Sequence, residues 1–305
     1  MDVLPRIRVP YRDNSSQAPS LCLASAIPLR GRSVAKGISL HVGLNSVDPG
    51  HYHGWSGPLQ ACEADANSME EVAEKQGFET ARLKTRNATR HAVEAGISKA
   101  ARTLEEGDMF LLSYSGHGGQ VKDENSDEPD LVDETWCLYD GQLVDDELWH
   151  YWSGFKAGVR ILVISDSCHS GTVTRFRPDR LASHAPSGAR FMPMDVALKV
   201  YHKNREFYSK IQKLYPGELK EPEATVRLIS GCQDHQYSLD GTFNGLFTSV
   251  LTLVWDDGAY AGGKGGNYAD FHRKILNRMP EDQQPNHYVI GRPNREYDRQ
   301  RPFSV

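Results

Sequence analysis

Two stretches of the chain carry the residue types that acyl transfer needs. Arg160 to Gly171, RILVISDSCHSG, runs through apolar β-formers and stops abruptly at Asp166, Ser167, Cys168 and His169. Met109 to Gly119, MFLLSYSGHGG, has the same grammar and stops at Ser115, Gly116, His117 and Gly118. A thiol is weakly nucleophilic while protonated, and an imidazole within reach can take its proton or hold the thiolate as an ion pair. Cys168 is therefore expected as nucleophile and His117 as general base and acid. His169 competes for the second role, but it adjoins the nucleophile, and neighbouring side chains tend to point apart. Cys62, Cys137 and Cys232 lie outside both stretches and read as core or loop thiols.

The elements that must position this pair follow from the surrounding pattern. Both apolar runs are short and lack period-2 alternation, as expected of strands covered on both faces of a parallel sheet, whose carboxyl ends are where chemistry sits. Upstream, a strand from Lys36, a helix from Leu59 to about Gln76, a strand from Phe78 to Leu83 and a helix from Ala88 to Glu105 alternate. That alternation implies right-handed βαβ crossovers and an α/β fold. Asp123 to Asp140 reads as an acidic excursion, and DDELWHYWSGF as a helix feeding the Cys strand. Further on come one amphipathic helix near Asp195 to Leu214, a strand over Thr225 to Ser230, helices from about Asn244 to Trp255 and Tyr268 to Arg278, and a strand from Asn286 to Ile290.

SGHG followed by DSCHSG, with the His 51 residues before the Cys, resembles the His and Cys boxes of caspase-like cysteine peptidases, particularly metacaspases and bacterial orthocaspases. The resemblance implies a three-layer α/β/α sandwich with a mostly parallel central sheet. It divides the chain into an extended arm (1–35), a large-subunit-like part (36–180), a basic intersubunit linker (181–222) and a small-subunit-like part of the same domain (223–305). It further implies a cysteine endopeptidase that cuts proteins after Arg or Lys through a thioester, with the Gly118 and Cys168 N–H groups on the oxyanion. CEADA at 62–66 resembles the box whose Asp, here Asp65, lines the first specificity pocket; Ser115 and Asp166 stand at the other matching positions. Carboxylates pair a guanidinium through charge-assisted bonds, which suits a basic P1 residue. What orients His117 is left open; relatives commonly use a backbone carbonyl. Asp145 and Asp146 match calcium ligands of some family members, oxygen donors that suit this hard cation. The family's further ligand position is Arg175, which argues against tight Ca²⁺ binding; Asp145 could equally cap its helix. The chemistry itself needs no cofactor.

Composition bounds the rest. With 39% hydrophobic residues in 305, the chain can bury a large core, and no apolar run approaches the roughly 20 residues of a membrane span. A net charge of -5 disfavours a general nucleic-acid binder, and five cysteines without metal-ligand spacing suit a reducing, cytoplasmic setting. LCLASAI is too short and too late for a convincing signal peptide. Between Thr172 and Lys220 there are ten Lys and Arg against four Asp and Glu, a basic segment inside an acidic protein. An enzyme that cuts after basic residues carries its own candidate sites there, Arg175, Arg177, Arg180 and Arg190, among Pro, Ser and Gly residues that favour exposed backbone. The same segment could hold a regulatory protein. Alternatives to the metacaspase-like peptidase are a catalytically silent caspase-like interaction module and a separase-like or legumain-like peptidase.

Overall fold

Strands β1 (Gly37–Gly43), β2 (Glu79–Lys84) and β3 (Met109–Ser115) form where the apolar runs predict them, with helix α1 (Cys62–Lys75) after β1 and α2 (Arg90–Thr103) after β2. The computed structural model describes residues 35–123, 132–168, 188–216, 220–232, 238–260 and 266–305. The expected arm, His169, Arg175, Arg177 and Arg180 therefore lie outside the described residues. Beyond β3 come β4 (Gly118–Lys122), β5 (Val132–Leu138), β6 (Gly141–Val144), α3 (Asp145–Ser153) and β7 (Arg160–Asp166). The remainder is α4 (Met194–Lys203), α5 (Arg205–Leu214), β8 (Thr225–Ser230), α6 (Leu246–Trp255), α7 (Tyr268–Leu276), β9 (Asn286–Gly291) and α8 (Arg295–Arg299).

A six-stranded sheet runs in the order β2-β1-β3-β7-β8-β9, parallel except for β9. The expected three layers follow from side chains that alternate across it. Phe110, Leu112, Ile161 and Val163 point to one core with Val93, Ile97 and Ala100 of α2 and Trp152 of α3. Met109, Leu111, Leu162 and Ile164 point to the other with Met69 and Val72 of α1, Phe247 and Leu251 of α6 and Phe271 of α7. The strands carrying the two catalytic candidates are neighbours, in a register that sets Ser115 opposite Asp166 at their carboxyl ends.

Three local features depart from the sequence expectations. Residues 118–144 build a second, antiparallel sheet in the order β4-β5-β6 around the acidic stretch. The single helix expected near 195–214 is two, broken at Asn204, whose side-chain amide donates to the Val200 and His51 carbonyls (3.0 and 3.1 Å) in place of helical continuation. Part of the expected linker is core: Met192, Val200, Tyr201, Tyr208 and Ile211 are buried with Val121, Cys137 and Val144 of the second sheet. Burial of Met192, Val200 and Ile211 contributes about 1.5–3 kcal/mol each, which ties 192–214 firmly to β4–β6.

His41 is buried inside β1, between the Ser113 (2.8 Å) and Ser39 (2.9 Å) hydroxyls. Burial, with Arg82 assisting, pushes its pKa down to about 3. The folded imidazole thus stays neutral while the unfolded one takes a proton below about 6.5, so its contribution is intact above that pH and erodes as pH falls toward 3. Denaturant titrations at pH 7, 6 and 5 should show stability falling with acid by as much as about 1.4 kcal/mol per pH unit from this group, and His41→Gln should flatten that slope. An equal slope in the variant would assign the acid sensitivity elsewhere.

Candidate active site

His117 sits in the turn between β3 and β4, and that turn is fixed from two sides. The Tyr114 hydroxyl donates to the His117 carbonyl (2.7 Å), as does the Cys137 N–H (2.9 Å). The Tyr114 ring stacks on Trp136 at 4.5 Å. The imidazole is buried; its Nε2 bonds the Gly57 carbonyl oxygen at 3.0 Å, and the Trp55 ring lies 4.8 Å away. With Nε2–H donated to that carbonyl, Nδ1 is the basic nitrogen, and it is buried without a hydrogen-bond partner among the described residues. Burial pulls the His117 pKa down to about 4, so the ring is neutral near pH 7 and able to accept a proton. The orienter left open in the sequence is thus a backbone carbonyl. Gly57 has φ +50°, and a Cβ there would lie 2.9 Å from His117 Cδ2 and 2.6 Å from the Trp55 ring.

Cys168 follows β7 and is fully buried; its Sγ accepts the Ser238 N–H at 3.0 Å. Gly118 passes so close that a Cβ on it would meet the Cys168 carbonyl oxygen at 1.7 Å, which restricts the position to glycine. The Gly118 and Cys168 N–H groups point to the same acceptor, the Arg190 carbonyl oxygen, at 2.9 and 3.2 Å. Two N–H donors converging on one carbonyl are the geometry that stabilises an oxyanion formed there.

Asp65, Ser115 and Asp166 come together as the sequence predicts, and they enclose a guanidinium. Arg190 Nη2 donates to Asp65 Oδ2 at 2.7 Å, while Nη1 donates to Ser115 Oγ (2.8 Å) and the Asp166 carbonyl (3.1 Å) and forms an ion pair with Asp166 Oδ2 at 3.0 Å. A third carboxylate, Asp240, takes Nη2 at 3.0 Å. Although burial opposes its charge, Asp166 and Asp65 hold Arg190 protonated above its ordinary range. Burial pushes the Asp65 carboxyl up against the opposite pull of Arg190. Backbone and hydroxyl donors complete the carboxylates. Asp65 Oδ1 accepts from Gly245 N and Asn244 Nδ2 (both 2.9 Å), and Asp166 Oδ2 from Thr248 N (3.2 Å) and Oγ1 (2.7 Å). Asp240 accepts from Gln60 N (2.7 Å) and Ala61 N (3.1 Å).

Arg190 therefore corrects the expectation of an exposed linker arginine: it is 0% exposed. Asp240, Gly57 and Ser238 are the site residues that sequence reasoning missed. Asp240 lay in a polar loop with no local pattern to single it out, and only folding brings it to Asp65 and Asp166. Among the described residues no group of three or more His, Cys, Asp or Glu is placed to hold a metal ion. Nor is Asp145 the N-cap: that position is Val144, whose N–H donates to Glu147 Oε2 (3.0 Å), and Asp145 begins the helix proper. No helix among the described residues is long and apolar enough to cross a membrane.

Residues 47–296 match the model of the caspase domain, Peptidase C14. Metacaspase-1A of Aspergillus clavatus is 34% identical over 264 residues, covering 73% of this chain and 59% of the relative. Metacaspase-1 of Schizosaccharomyces pombe is 27% identical over 253 residues, covering 71% and 58%. The chain thus spans about three fifths of the length of these curated relatives. The crystal structure of protein GSU0716 from Geobacter sulfurreducens superposes with a TM-score of 0.78 at 50% identity, covering 88% of this chain and 99% of that one. With the caspase-domain match extending over most of the chain and the parallel sheet bringing the His and Cys boxes side by side, the protein belongs to the caspase family of cysteine peptidases.

Proposed function

We propose that the protein is an endopeptidase that cuts polypeptides after arginine or lysine, with Cys168 as nucleophile and His117 as base and acid. One observation carries this reading: the chain's own Arg190 lies in the site with its guanidinium among Asp65, Ser115, Asp166 and Asp240 and its carbonyl oxygen on the Gly118 and Cys168 N–H groups. A carbonyl so held is polarised for attack. The thiol adds to the carbonyl carbon as its proton passes to His117, and the two N–H groups take the negative oxygen. His117 then returns the proton to the departing amine, leaving a thioester that water hydrolyses. Both terminal nitrogens of the guanidinium are engaged by acceptors set apart as its fork requires, which favours arginine over the single ammonium of lysine. The same specificity turned on the chain's basic segment would cut it there. The steps use a thiol, an imidazole and backbone N–H groups, so Ca²⁺ has no assigned part in them.

A positional peptide library should show P1 Arg, with Lys weaker and Asp never cut; an acidic P1 preference would overturn the pocket assignment. Cys168→Ala and His117→Ala should abolish turnover in folded protein, and an arginyl chloromethyl ketone should label Cys168. Folded protein that neither turns over Arg peptides nor takes the label would indicate a silent interaction module. Asp65→Asn and Asp166→Asn should each lower kcat/KM on Arg peptides by about 10- to 100-fold, the loss of a charged hydrogen bond worth about 1.5–3 kcal/mol. EGTA should leave turnover unchanged; loss in EGTA with rescue by Ca²⁺ would show that the metal is needed. Gly57→Ala should depress kcat more than it raises KM and shift the pH profile, because it displaces the imidazole and not the P1 pocket; unchanged kcat would remove Gly57 as a positioning residue.

A further inference from the structure

Gln283, in the loop between α7 and β9, is 0% exposed, and its side-chain amide is engaged at both ends. Nε2 donates to the Gly231 carbonyl (3.1 Å) and to Ser238 Oγ (3.1 Å), while Oε1 accepts the Leu239 N–H (3.3 Å). A backbone N–H needs an acceptor and a backbone carbonyl needs a donor, so these partners fix which way the amide faces. Ser238 is the residue so held. Its hydroxyl accepts from Gln283 and donates to Asp166 Oδ1, and its backbone N–H donates to Cys168 Sγ at 3.0 Å. Asp166 is fixed in turn, since its Oδ2 accepts from Thr248 N and Oγ1. A buried path of two links thus runs from the Gln283 amide to the sulfur.

The surroundings of the sulfur give that N–H its weight. Burial keeps the His117 ring neutral near pH 7, so the resting site holds no imidazolium to stabilise a thiolate. Cys168 packs against Phe191, Cys232 and Met194, an apolar wall with one further thiol. The charged groups of the site, Arg190 with Asp65, Asp166 and Asp240, are paired with one another. Among the described residues the hydrogen-bond donor to Sγ is the Ser238 N–H. The Ser238 carbonyl lies 3.7 Å from Sγ, a longer contact that suits the protonated thiol. A donor bond strengthens when its acceptor gains charge, so the shorter contact favours the thiolate.

We propose, on the reading of Cys168 as the nucleophile, that Gln283 is a positioning residue for the reaction: by fixing Ser238 it aims the Ser238 N–H at the Cys168 sulfur and favours the thiolate that attacks the substrate. Gln283 touches neither substrate nor sulfur and acts only through the backbone it holds. Methionine matches its length but forms none of the three bonds, leaving the Gly231 carbonyl and the Leu239 N–H unpaired and Ser238 free to drift from the sulfur. Ser238→Ala cuts the same path one link further on, because it keeps the N–H but removes the hydroxyl through which Gln283 and Asp166 hold it.

The test is a pH titration of thiolate ultraviolet absorbance in the full chain, each form read as the difference from the same form carrying Cys168→Ala, which cancels the other cysteines and the tyrosines. Melting curves establish that each variant is folded. Gln283→Met should move the Cys168 midpoint upward by about one pH unit, a roughly tenfold loss in the thiolate equilibrium. Below both midpoints the variant should hold about tenfold less thiolate, and above both the two proteins should agree. Ser238→Ala should shift the midpoint in the same direction, and the double variant should go no further than the larger single shift, because the two residues act in series. The acidic limb of kcat/KM on an arginyl peptide should move with the midpoint. An unchanged or lowered midpoint in either folded variant, or shifts that add in the double variant, would overturn the role of Gln283 while leaving the peptidase reading intact. Wild type that hydrolyses no arginyl peptide would instead sink the activity, and the thiolate titration would still decide whether Gln283 governs the sulfur.

Discussion

A guanidinium with no access to water is the constraint around which this site is arranged. Removing an ion from water costs several kcal/mol unless partners replace the solvent, and Arg190 is met by three carboxylates, a hydroxyl and a carbonyl. Three carboxylates against one cation leave an excess of negative charge, and the fold offsets it with helix N-termini. Gly245 and Thr248 at the start of α6 donate to Asp65 and Asp166, and Gln60 and Ala61 at the start of α1 donate to Asp240. Helix starts carry partial positive charge and unsatisfied N–H groups, so α1 and α6 are aimed where the anions need them.

That arrangement explains why elements distant in sequence must meet at one edge of the sheet. Asp65 comes from α1, Ser115 from the end of β3, Asp166 from the end of β7 and Asp240 from the loop before α6. Parallel strands deliver all their carboxyl ends to one side, and the short register offset between β3 and β7 sets Ser115 beside Asp166. On the same rim, Gly118 can approach the Cys168 carbonyl only because it has no side chain. The charge cluster and the paired N–H groups thus share one edge: the residues that grip the Arg190 side chain adjoin the N–H groups that hold its carbonyl.

Residues 188–214 form a segment of two parts with different physics. From Met192 onward it is core, with α4 and α5 closing over the antiparallel sheet. From Gly188 to Arg190 it is held by backbone pairing with residues 238–240 and by the ion contacts of Arg190.

Much of this was legible beforehand. The apolar runs at 37–43, 109–115, 160–166 and 225–230 define strands because buried parallel strands need continuous hydrophobicity, and the boxes that end two of them name Cys168 and His117. Asp65, Ser115 and Asp166 were also within reach through a resemblance in short motifs. Other features were not. Strands β4 to β6 lie in a polar, acidic stretch whose pairing rests on partners and not on local pattern, and Asn204 breaks a helix through bonds to a segment some 150 residues away. Arg190 looked like an exposed basic residue because composition records charge but not where charge is neutralised. Only the tertiary structure decided that it is buried, since the acids that make burial affordable lie 125, 24 and 50 residues from it along the chain and meet it through sheet register and helix placement.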